Sequence, residues 1–148
     1  MNIAGLERNL QLFKISDNLQ IAAFILFGDV EVTKASAKAL LELAPEYDVL
    51  FTAECKSLPL IYEMARQKNG CPYVVARKSI KLYMSEPISV TVKSITTAKE
   101  QTLYLSAEKA EMIKGKRVLV VDDVISTGES LKALEKLVEG AGGEIVAE

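Results

Sequence analysis

The chain has 148 residues, 49% of them hydrophobic and 26% charged, which is enough for one domain with a real core. Its 18 basic and 20 acidic side chains leave a net charge of −2, so the broad basic footprint of a nucleic-acid binder is excluded. There is no histidine, which removes Ser-His-Asp and Cys-His nucleophile systems and the usual His-containing zinc sites.

From the N-terminus, apolar bursts at Leu10, Leu12, Phe13 and Ile15, and again at Ile21, Phe24, Ile25 and Leu26, flank Ser16-Asp17-Asn18 and predict a hairpin or small flap. The longest apolar stretch, around 21–27, is bracketed by Asp17, Asp29 and Glu31 and falls short of the roughly 20 residues a bilayer span needs. No basic-then-apolar leader precedes it, and a cytoplasmic location is expected. Asp29 is placed to cap a helix over 30–43, with Val32, Ala35, Ala39, Leu40 and Leu43 on one face and Pro45 beyond its end.

A strand is predicted over 47–52, then a helix from near Pro59 to just before Asn69-Gly70, a good C-cap. A short buried strand over 73–76 ends in Arg77-Lys78. Ile88, Val90 and Val92, then Leu103 and Leu105, alternate with polar residues on either side of a polar tip, predicting an antiparallel hairpin over 88–105. Ser106 caps a short helix to about Ile113, Gly115 breaks it, and 117–121 is a third core strand. A helix over about 131–139 and a last strand over 144–147, set off by Gly140, Gly142 and Gly143, complete the chain.

This order predicts an α/β fold: an open, mainly parallel twisted sheet with flanking helices and right-handed crossovers. No repeat, low-complexity tract or linker divides it. Ligands in such sheets sit beyond the carboxyl ends of the strands. That rule gathers Ala53-Glu54-Cys55-Lys56-Ser57, Arg77-Lys78 and Asp122-Asp123 along one edge. Lys56, Arg77, Lys78, Lys81, Lys93 and Lys99 concentrate positive charge in the middle of the chain, suited to a polyanionic small molecule. Cys55 and Cys71 have neither metal-ligand nor redox spacing and are expected to be reduced, with Cys71 a bystander.

The most informative segment is 118–130, Val-Leu-Val-Val-Asp-Asp-Val-Ile-Ser-Thr-Gly-Glu-Ser. Four apolar residues make a strand buried on both faces, and two carboxylates follow where it surfaces. Ionised carboxylates accept only, so Asp122 and Asp123 suit the paired hydroxyls of a ribose, directly or through a bound cation. By themselves they are equally compatible with a plain strand end or a hydrolase metal site. Ser126, Thr127, Gly128, Glu129 and Ser130 add backbone amides, hydroxyls and a helix N-terminus, an anion cradle beside the acids. A P-loop is absent, since no second glycine and Lys-Ser or Lys-Thr pair accompany it.

Residues 118–130 closely resemble the phosphoribosyl pyrophosphate (PRPP) signature of the type I phosphoribosyltransferases. Ala53 to Ser57 is similar to that family's pyrophosphate loop, 75–78 to the segment after its second core strand, and 88–105 to its mobile flap. The resemblance covers nearly the whole chain and is greatest to the adenine and xanthine enzymes and the purine-repressor effector domain. It implies a single domain over 1–148, with a hood over 1–29 and a core over 30–148 that carries the flap hairpin.

The resemblance implies that Asp122 and Asp123 hold the ribose diol as the catalytic acids, and that Ser126, Thr127, Gly128, Glu129 and Ser130 hold the 5-phosphate. Lys56 and Ser57 would meet the pyrophosphate through backbone amides, with Arg77, Lys78 and Lys81 adding charge. Glu54 and Asp123 would reach Mg2+ through PRPP and water. Val124 and Ile125 would flank the base opposite Phe24 or Phe27, aromatics that equally suit a hood core. Thr96, Thr97 and Lys99 lie on a tip that reads either as disordered or as a closing lid.

The implied reaction is transfer of the 5-phosphoribosyl group from PRPP to a free purine, adenine ahead of xanthine or guanine, giving a nucleoside monophosphate and pyrophosphate. Its oxocarbenium character requires leaving-group stabilisation and water exclusion rather than a covalent nucleophile, which fits a chain without histidine. A homodimer is implied, with no nucleic-acid or membrane partner. A PRPP-sensing module without catalysis is the alternative reading, and two departures keep an inactive, shortened homologue open as well. Ser57 stands where many relatives have glycine, and the chain stops at Glu148, one strand after the phosphate helix, where relatives continue.

Overall fold

The computed structural model describes residues 1–93, 100–125 and 128–148. In chain order the elements are β1 (Asn2–Ile3), β2 (Leu6–Glu7), β3 (Leu12–Ser16), β4 (Leu19–Ala22), α1 (Val30–Leu43), β5 (Val49–Ala53), α2 (Leu58–Gln67), β6 (Tyr73–Ala76), β7 (Ile88–Lys93), β8 (Glu100–Leu105), α3 (Ala107–Ile113), β9 (Arg117–Val120), α4 (Glu129–Gly140) and β10 (Glu144–Ala147).

Every residue of β5 is buried, as a strand covered on both faces requires. It sits inside a four-stranded sheet of order β10-β9-β5-β6, with each neighbouring pair parallel. The period-two alternation of β5 divides the core. Val49, Phe51 and Ala53 face a layer built with Leu134, Leu137 and Val138 of α4 and with Leu103, Leu105 and Ile113. Leu50 faces the other way, toward Val32, Ala37, Leu60, Ile61 and Met64 of α1 and α2. The predicted open parallel α/β sheet with flanking helices is therefore the observed architecture.

Boundaries moved by one or two residues. The first core strand begins at Val49 rather than at 47, because Asp48 is engaged by Arg117, whose backbone and guanidinium N–H groups donate to its carboxylate at 2.9–3.2 Å. Helix α4 begins at Glu129 because Gly128 adopts a left-handed φ of 76° as its N-cap, a conformation glycine takes without strain. Gly143 is needed for room rather than for φ: an added Cβ would lie 2.5 Å from Ile113 Cγ2 and 2.9 Å from Val138 Cγ1.

The expected face of α1 is corrected. Its buried residues are Val32, Thr33 and Ala37, whereas Leu40 is exposed and Leu43 is 82% exposed. Small Ala37 lets α1 lie against α2, and Thr33 satisfies its hydroxyl internally by donating to the Asp29 carbonyl at 2.8 Å. Asp29 caps α1 as expected, its carboxylate accepting from the Val32 N–H at 3.1 Å. Within α2, Glu63 is buried and takes hydrogen bonds from Arg66 and Gln67 at 2.7–2.8 Å, which lower its pKa to about 2.

Strands β3 and β4 form the predicted N-terminal hairpin, and every residue of both is exposed. A second small hairpin, β1 with β2, precedes it, turning at Ala4 and Gly5, both with positive φ. Arg8 then ties this region to α1: its guanidinium donates to Asp29 at 2.7 and 3.2 Å and to Glu31 at 2.7 Å. Strands β7 and β8 pair antiparallel from Ile88↔Leu105 to Lys93↔Glu100. The predicted tip residues Thr96, Thr97 and Lys99 lie outside the described residues. Among the described residues, no helix is long and apolar enough to cross a membrane.

Candidate functional site

Parallel registry decides which loops meet. Val49 pairs with Val118 and Phe51 with Val120, while Ala53 pairs with Ala76, so β5, β6 and β9 end side by side. Val121 still donates to the Phe51 carbonyl at 2.8 Å, and the chain leaves the sheet at Asp122-Asp123. A cleft of about 640 Å³ opens there, walled by Glu54, Cys55, Lys56 and Leu58 after β5, Lys78 after β6, and Asp122 to Val124 after β9. Ile21 to Phe24 and Phe27 of the N-terminal region form its opposite wall.

The structure thus brings together Glu54, Lys56, Lys78, Asp122, Asp123, Val124, Phe24 and Phe27. Other residues singled out in the sequence lie elsewhere. Ile125 is exposed and borders a different cavity with Leu40, Leu43 and Met64. Ser57 is fully buried with its hydroxyl turned inward, at an ordinary φ of −73°. Arg77 pairs with Glu54 at 3.1 Å, and the same carboxylate accepts the Lys78 N–H at 3.1 Å, so Glu54 braces the cation segment. Lys81 is half-buried in a turn whose carbonyl accepts from Met84 N–H at 2.9 Å. Gly128, Glu129 and Ser130 form the cap and first turn of α4, while Ser126 and Thr127 lie outside the described residues.

The acid pair is electrostatically tense. Burial, then the adjacent Asp122 carboxyl, holds Asp123 above the usual carboxylate range, and Lys56 offsets part of this. Ligand atoms of Asp122, Asp123 and Cys55 lie within 4.8 Å of one another. The carboxylate oxygens suit a hard cation such as Mg2+; the Cys55 thiol, pushed up by burial, does not. In the sequence Cys55 reads as part of the 53–57 loop and as a reduced thiol with no role of its own, and its place between Glu54 and Lys56 is the available signal of one. A separate cleft of about 470 Å³ between α1 and α2 holds the buried acid Glu63, already engaged by Arg66 and Gln67.

Fold and geometry together define an α/β protein with a cleft beyond the carboxyl edge of its parallel sheet, lined by an acid pair and by cationic side chains. The phosphoribosyl transferase domain family matches residues 29–147, and the chain belongs to that family. It is 33% identical over 140 residues to the hypoxanthine/guanine phosphoribosyltransferase of Methanococcus voltae, across 95% of this chain and 68% of that protein. It is 35% identical over 122 residues to the adenine phosphoribosyltransferase of Rhodococcus jostii, across 82% and 66% respectively. The chain spans about two thirds of the length of these relatives.

The solved adenine phosphoribosyltransferase of Saccharomyces cerevisiae, complexed with D-2,5-dideoxy-2,5-imino-altritol 1,6-bisphosphate and adenine, shares the fold. Its TM-score is 0.75 at 22% identity, covering 92% of this chain and 79% of that one. The type I phosphoribosyltransferase fold implied by the sequence motif is the fold present.

Proposed function

We propose that this chain transfers the 5-phosphoribosyl group of PRPP to a free purine base, releasing pyrophosphate and forming a nucleoside monophosphate in purine salvage. The observation that carries this reading is the Asp122-Asp123 pair at the end of β9, facing Lys56 and Lys78 across one cleft. In this reading the two carboxylates accept from the ribose 2- and 3-hydroxyls. The cap and first turn of α4, Gly128 to Ser130, take the 5-phosphate, since a helix N-terminus favours an anion, and the parts assigned to Ser126 and Thr127 fall outside the described residues. Ser57 contributes through its backbone, since its hydroxyl is already engaged by Thr52.

Lys56, Lys78, Arg77 and Lys81 supply positive potential along the pyrophosphate path, with Glu54 keeping Arg77 in place. The carboxylates of Asp122 and Asp123 would hold Mg2+, which when bound would supply charge neutralisation to the departing pyrophosphate. Val124 with Phe24 and Phe27 offers apolar and aromatic surface to a planar base. The lid role assigned to Thr96, Thr97 and Lys99 falls outside the described residues, and a cytoplasmic homodimer is the working form in this reading. Adenine is placed ahead of xanthine or guanine on the resemblance of the motif, supported by 35% identity to the adenine enzyme of Rhodococcus jostii, and hypoxanthine joins the panel because of the Methanococcus voltae relative.

The test is a panel assay with PRPP, Mg2+ and each free purine, following pyrophosphate release. Turnover is expected with adenine above the other bases and is lost in the double variant Asp122→Asn/Asp123→Asn. A protein that binds PRPP and Mg2+ yet turns over no purine overturns the reading and leaves a PRPP sensor in its place.

A further inference from the structure

Two hydroxyls and a thiol beneath the cleft form a connected series. Thr52 on β5 and Ser57 before α2 are both fully buried, and their oxygens lie 2.7 Å apart. Ser57 Oγ is also 2.7 Å from Cys55 Sγ, and Cys55 Sγ lies 3.4 Å from Asp122 Oδ1. Ser57 stands at the N-cap of α2 but makes no side-chain cap bond there, so its hydroxyl serves this series instead.

Proton counting fixes the direction. An ionised carboxylate accepts only, so the Cys55 S–H donates to Asp122. Sulfur then has no proton left for Ser57, and the Ser57 O–H donates to sulfur. The Thr52 O–H in turn donates to Ser57 Oγ. Asp122 Oδ1 receives a second donor, the Asp123 N–H, at 2.9 Å. Two donors thus converge on one oxygen of the acid, one of them reached from the buried centre of the sheet. Buried polar groups left without partners cost more than the bonds between them gain, which holds the series together.

We infer that Thr52, Ser57 and Cys55 form a one-way hydrogen-bond chain that sets the rotamer of the Asp122 carboxylate before substrate arrives. Cys55 and Ser57 are positioning residues: they act on PRPP through Asp122 and through the backbone of the loop they brace. Serine at position 57 supplies the middle link, which glycine there has no hydroxyl to make. The effect on catalysis rests on the phosphoribosyl transfer proposed above, whereas the chain itself stands on the side-chain geometry.

Steady-state kinetics of Cys55→Ala, Cys55→Ser, Ser57→Ala and Thr52→Val are compared with the unsubstituted protein. Cys55→Ala and Ser57→Ala should raise KM for PRPP roughly fivefold with kcat little changed, because the loss falls on how Asp122 is held rather than on a bond to the reacting atoms. Thr52→Val, which keeps the shape of the side chain, should have a smaller effect of the same kind. Cys55→Ser restores a donor and should stay close to the parent value. Unchanged KM in Cys55→Ala, or equal damage in Cys55→Ser, overturns the proposal.

A second measurement does not depend on turnover. With Cys71→Ser as background, the single S–H stretching band in the infrared reports Cys55. It should lie low in that parent and shift to higher frequency in both Asp122→Ala and Ser57→Ala. A band that ignores Asp122 overturns the chain. An inactive parent with a responsive band instead counts against the enzymatic reading alone.

Discussion

The cleft has two walls of opposite construction. One rises from the ends of β5, β6 and β9, whose inner residues are buried in two packed layers. The other belongs to the N-terminal hairpin, where Leu12, Phe13, Ile15, Leu19 and Ile21 are all exposed. The contrast separates tasks. In the proposed function the acids that would meet a diol stand at the end of the packed sheet, where position is over-determined. The aromatic surface proposed for a flat base follows the exposed hairpin, with Phe24 packed against the core and Phe27 open to solvent.

The largest expected effect breaks the packed side. Phe51→Ala removes a fully buried ring from the central strand and should cost about 3–5 kcal/mol, read from denaturant midpoints. Gly143→Ala comes next, at about 1–3 kcal/mol by the same measurement, because the added methyl meets Ile113 and Val138 below contact distance.

Acid should act on the same side more gently. Hydrogen bonds from Arg117 lower Asp48 to about 2, and those from Arg66 and Gln67 lower Glu63 to about 2. Their ordinary values are 3.8 and 4.5, so both contributions are intact above about pH 4.5 and are lost as pH falls toward 2. Melting temperature should therefore fall over that window, and Glu63→Gln should flatten the fall. The smallest effect sharpens the other wall: Phe13→Ser, on the exposed hairpin, should leave stability within about 0.5 kcal/mol of the parent.

Much of the sheet side was legible in sequence because continuous apolar runs such as 118–121 have few alternatives to a doubly covered strand. The order of elements, the caps at Asp29 and Ser106 and the hairpin over 88–105 followed from local patterns that the tertiary structure did not override. The face of α1 was legible only at Val32, since the rest of its packing follows Thr33, Ala37 and Leu41 rather than Leu40 and Leu43.

Within the site, the resemblance named the loops but not the contacts among them. Cys55 and Asp122 are 67 residues apart and meet only through the β5–β9 register, which no local pattern encodes. The inward turn of Ser57 was equally hidden, because it depends on Thr52 lying beneath it in the sheet.

One consequence concerns Arg8. Its guanidinium joins the N-terminal region to Asp29 and Glu31, with side-chain exposures of 29%, 31% and 69%. Charges this close to water feel dissolved ions, whose screening distance shrinks from about 10 Å at 0.1 M to about 3 Å at 1 M. On the sheet side an exposed pair such as Asp48–Arg117 is open to the same screening, while the buried apolar layers are not. Concentrated salt is thus a dial that slackens one wall of the cleft more than the other, so ligand affinity should fall faster than melting temperature as salt is added.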